Sequence, residues 1–114
     1  MITRRYPDID LILQCARMIA SNAGAPPIDS AAAEVQVRAV LFGEKDVWGA
    51  FTEGLLTDQE ACNKVLAEIT SWVCRTSKLP TESTSWADRD VHAMMARALL
   101  PEAYDDFLIL KLTP

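Results

Sequence analysis

Between residues 9 and 21 the polar positions are Asp10, Gln14, Arg17 and Ser21, spaced by four, three and four. On a helix that spacing makes one narrow stripe. Every other position there is apolar: Ile9, Leu11, Ile12, Leu13, Cys15, Ala16, Met18, Ile19 and Ala20. An ordinary surface helix shows the reverse balance, with only one face apolar. The pattern predicts a first helix from about Pro7-Asp8 to Gly24 that is enclosed over most of its circumference, at the centre of the fold or at a subunit interface.

Ala25-Pro26-Pro27 makes a stiff, extended connection, and Asp29 or Ser30 offers an N-cap to the next element. Residues 31–42 (AAAEVQVRAVLF) carry two signals. The alanines and the Glu34–Arg38 pair favour a helix. The alternation of Glu34, Gln36 and Arg38 with Val35, Val37 and Ala39 is a strand period. Residues 46–55 read as a short helix with Trp48 and Phe51 on one side, weakened by Gly49 and Gly54.

Thr57-Asp58-Gln59-Glu60 has the form of a capping box. The helix after it, about 58–76, is plainly amphipathic, with Ala61, Cys62, Val65, Leu66, Ile69, Trp72 and Val73 on its apolar side. Ser77 to Ser85 reads as a polar loop. A helix over about 86–100, opened by the Ser85–Asp88 signal, would bury Val91, Met94, Met95, Ala98 and Leu99. Pro101 interrupts it, and residues 107–112 close the chain as helix or strand. The fold class expected is all-α: a compact bundle of about five to six helices in one domain, 1–114. The alternative is an α+β fold with a small two-stranded sheet from 33–42 and 107–112.

Composition narrows the function classes. The chain has 114 residues, half of them hydrophobic, which is globular rather than disordered. Its net charge is −5, and eleven of its sixteen acidic residues follow position 45. Beyond Arg4-Arg5 there is no basic cluster, so nucleic acid and anionic membrane surfaces are poor partners. Cys15, Cys62 and Cys74 are too few and too irregular for a disulfide framework, and they lie in apolar helical patterns. That points to a reducing, cytoplasmic setting. Pro7, Asp8 and Asp10 interrupt the N-terminal apolar stretch, which makes it a poor signal peptide.

Candidate chemistry is thin. Asp88 and His92 share a helical face, but a metal needs further ligands that the spacing does not supply. Cys62 and Cys74 lie about 18 Å apart along one helix, too far for one ion. A Cys15–His92 nucleophile and base would place the thiol among apolar neighbours that make it inert. Asp105-Asp106 are adjacent and do not face each other. There is no phosphate-cradling glycine loop. The sequence thus implies no catalytic, cofactor or metal site.

The reading that remains is a non-enzymatic, acidic helical protein that works by protein–protein binding. It would inhibit or sequester a target with a basic surface, as immunity proteins, antitoxins, anti-activators and phage-encoded inhibitors do. An enclosed first helix also suggests a homodimer. The interface candidates are Leu11, Cys15, Met18, Trp48, Phe51 and Trp86. The competing reading is a small helical enzyme or ligand carrier. Its pocket would be lined by Met18, Met94, Met95 and the tryptophans, with Asp88 and His92 at its mouth.

Overall fold

Five N-caps divide the described chain into helices. The computed structural model describes residues 7–79 and 87–100. Within them run α1 (Ile9–Asn22), α2 (Ser30–Phe42), α3 (Val47–Thr52), α4 (Asp58–Ser77) and α5 (Arg89–Leu99). The side chains of Asp8, Asp29, Asp46, Thr57 and Asp88 each accept a hydrogen bond from a backbone N–H of the helix they open. Aspartate in this position also meets the positive end of the helix dipole. At α4 the capping box is complete. The Glu60 N–H donates to Thr57 Oγ1 at 3.1 Å, and the Thr57 N–H donates to Glu60 Oε1 at 2.9 Å. Hydrogen bonding to the carboxyl, from the Thr57 backbone N–H first and from the Thr57 side chain next, holds Glu60 below the usual carboxylate range.

α1 and α3 end alike. Gly24 and Gly54 take positive φ, and the next N–H reaches back: Ala25 to the Ala20 carbonyl and Leu55 to the Ala50 carbonyl, both at 2.9 Å. This closes orphan carbonyls that the helix itself cannot satisfy. α4 uses the same geometry with Lys78 in the left-handed region and the Leu79 N–H on the Cys74 carbonyl.

α4 touches each of the other four helices, and α1 touches α2, α4 and α5. α1 and α5 run antiparallel and are tied at both ends. At one end the Asp8 N–H donates to the Ala98 carbonyl at 2.9 Å. At the other the Asn22 side-chain amide donates to Asp88 Oδ2 at 3.2 Å. Between these ties the α1 face carrying Ile12, Cys15, Ala16 and Ile19 is shut from solvent. Asp10, Gln14, Arg17 and Ser21 are all exposed. The first helix is therefore enclosed by its own chain, and covering it requires no second subunit.

No strand occurs among the described residues, and the fold is an all-α bundle. The alternation over 33–42 is a correction to the α+β alternative: those residues are helical, because Ala33, Val37, Val40 and Leu41 fall at helical spacing and bury together. The other half of that sheet, 107–112, lies outside the described residues. α3 is shorter than the expected 46–55, and α5 is described from Arg89, with Asp88 supplying its cap. No helix among the described residues is long and apolar enough to cross a membrane.

Candidate interaction surface

α2 is apolar on both sides. Its inner side, Ala33, Val37, Val40 and Leu41, joins the common core. Its outer side carries Ala31, Ala32, Val35, Ala39 and Phe42, all exposed. Val35 is 70 % exposed and Phe42 38 %. A helix that is apolar all round is ordinarily buried all round; α2 is buried on one side only. Glu34 and Arg38 sit at one edge of the outer face, paired at 3.4 Å. A further exposed apolar side chain, Leu55, 71 % accessible, follows α3.

The residues singled out from the sequence divide by burial. Cys15 and Phe51 are closed inside the core at 0 % and 2 % exposure, so neither can meet a second chain unless the core opens. Leu11, Met18 and Trp48 are half-buried at its margin. Trp48 stands edge-on to Phe51, ring centres 5.7 Å apart and planes at 60°, a favoured aromatic geometry. Trp86 lies outside the described residues. The outer face of α2 is absent from those candidates. The signal that finds it is apolar residues recurring at helical spacing on the side of α2 opposite Val37.

Asp88 is committed to structure. Its Oδ1 accepts from the Val91 N–H at 3.0 Å and its Oδ2 from Asn22. His92 is exposed beside a groove of about 390 Å³ between α4 and the start of α5, where Leu66, Thr70 and Ala87 also line the wall. The competing sequence reading places Met18, Met94, Met95 and the tryptophans in a pocket beside these two residues. No methionine or tryptophan is among the described residues lining that groove, and Met95 is wholly buried in the core. Met95 lies on the side of α5 that packs inward with Val91 and Ala98, whereas His92 is turned out to solvent. Among the described residues no three His, Cys, Asp or Glu side chains gather to hold a metal ion.

All three cysteines are free and buried. Burial pushes the Cys15 thiol up to about 12 and the Cys62 thiol up to about 11, and raises Cys74 as well. The Cys15 Sγ–H points at the Val91 carbonyl, 3.8 Å away. These thiols stay protonated at neutral pH and are poor nucleophiles. Ellman's reagent should therefore react slowly with the folded protein at pH 8 and quickly with three thiols in denaturant. Because the folded thiols hold their protons longer than unfolded ones, this stabilisation is complete below about pH 8.5 and declines as pH rises beyond it.

No protein-family model matches the chain, and no curated protein or solved structure matches it either.

Proposed function

We propose that this chain works by protein–protein binding, as a small acidic helical regulator that inhibits or sequesters a protein target rather than catalysing a reaction. One observation carries the reading. The core is closed around α1, yet α2 keeps a second apolar face in water, with Val35 at 70 % exposure near its centre. Solvent-facing apolar surface is costly to keep, and clustered apolar surface marks sites of association. The net charge of −5 suits a partner with a basic surface, through complementarity that speeds encounter. Three free, buried thiols suit a reducing, cytoplasmic setting.

The test is capture from a lysate of the source organism on immobilised chain, wild type beside Val35→Glu. Glutamate at this exposed helical position leaves the core untouched. The reading expects a reproducible protein partner with wild type, held more weakly as salt is raised, and lost at least tenfold with the variant. Capture that ignores the substitution, or no reproducible capture, overturns it.

A further inference from the structure

The outer face of α2 has a self-complementary layout. We infer that a second copy of this chain occupies it, α2 packing antiparallel on α2 about a two-fold axis. The inference rests on reading that face as a contact surface and names its occupant.

Bulk and charge support this occupant. Along the face, small residues lie at Ala31, Ala32 and Ala39 and larger ones at Val35 and Phe42. An axis level with Gln36 and Val37 sets Phe42 of each copy opposite Ala31 of the other. The same axis sets Val35 beside Ala39 of the second copy. Large thus meets small twice over, which lets two helix backbones approach closely. Glu34 and Arg38 share one edge of the face, and in an antiparallel pair the same edges meet. Arg38 of each copy then lies within about one residue's rise, ~1.5 Å along the axis, of Glu34 of the other. Two pairs become a ring of four alternating charges. A parallel two-fold pair would set this edge against the opposite edge of the other copy, which carries Gln36, and lose this.

Size sets the strength. A face one short helix long covers roughly half the ~800 Å² per partner of a standard interface. The pair is therefore a reversible dimer that assembles at roughly 10 µM to 1 mM rather than a permanent one. Because the pair is reversible, a target that binds this same face displaces the second copy.

Sedimentation equilibrium of the full chain across that concentration range tests this. Wild type should rise from 12.6 kDa towards twice that mass. Val35→Glu should hold the monomer mass throughout, with unchanged helical circular dichroism. Arg38→Glu should weaken association several-fold, and the exchanged pair Glu34→Arg with Arg38→Glu should restore it. Wild type that stays monomeric at the highest concentration overturns the inference, as does association that ignores Val35→Glu. A monomeric wild type that still captures another protein through Val35 sinks this inference and leaves the proposed function standing. A monomer with no capture that depends on Val35 sinks both.

Discussion

Ile12→Asp is expected to abolish cooperative folding. Ile12 is 0 % exposed in the first turn of α1, the helix packed by α2, α4 and α5. Aspartate there would place a carboxylate among Cys15, Ala16 and their apolar neighbours. A buried unpaired charge costs several kcal/mol, or the group stays protonated at a similar cost. A domain of this size has roughly 5–15 kcal/mol in total. Lost packing around the missing isoleucine adds to the deficit. Urea titration followed by far-ultraviolet circular dichroism should show no sigmoidal transition for the variant. Gln14→Asp, two positions on and exposed, should unfold within about 0.5 kcal/mol of wild type. If Ile12→Asp unfolded at the wild-type midpoint, the enclosure of α1 would be wrong.

Phe51→Ala should be the most damaging truncation in the short middle of the chain, by about 3–5 kcal/mol. Phe51 is among the largest side chains buried to this degree. It holds α3, only six residues long, against α2 and α4. A helix that short has little stability of its own and depends on what it packs against. Losing the ring removes that anchor and also the edge contact to Trp48. The check is the chemical-denaturation midpoint, together with tryptophan fluorescence shifting red as Trp48 gains water. A loss under 1 kcal/mol would mean that α3 is held by something else.

Much of this fold can be read from side-chain order. The stripe Asp10, Gln14, Arg17 and Ser21 maps onto the solvent side of α1 residue by residue. It does so because a single polar stripe leaves only one way to rotate the helix. The Thr57 capping box and the Gly24 terminator are local hydrogen-bonding devices, and they act as local reading expects. The step from an enclosed helix to an oligomer is not legible in the same way. Whether α2, α4 and α5 suffice to cover α1 depends on their arrangement in space, which no periodicity states.

α2 is ambiguous in sequence for a physical reason. With apolar residues on both sides, its polar positions Glu34, Gln36 and Arg38 make no stripe and mimic a strand. The same property hides its outer face, the feature on which the proposed function rests. The Asp88–His92 spacing does belong to one helical segment, but an N-cap aspartate commits its oxygens to hydrogen bonds there. That commitment is visible only once the helix start is placed.

The turn into α3 bears on how this chain can drift over generations. Asp46 enters that helix in the left-handed region and lays its carboxylate over residue 49, whose N–H it caps at 3.2 Å. A Cβ on Gly49 would fall within 2.6 Å of both carboxylate oxygens. A side chain at 49 would push the Asp46 carboxylate off its cap, so descent with modification should keep glycine at 49 for as long as aspartate caps from 46. In diverged descendants of this gene, that three-residue spacing ahead of a buried aromatic should outlast most of the surrounding surface.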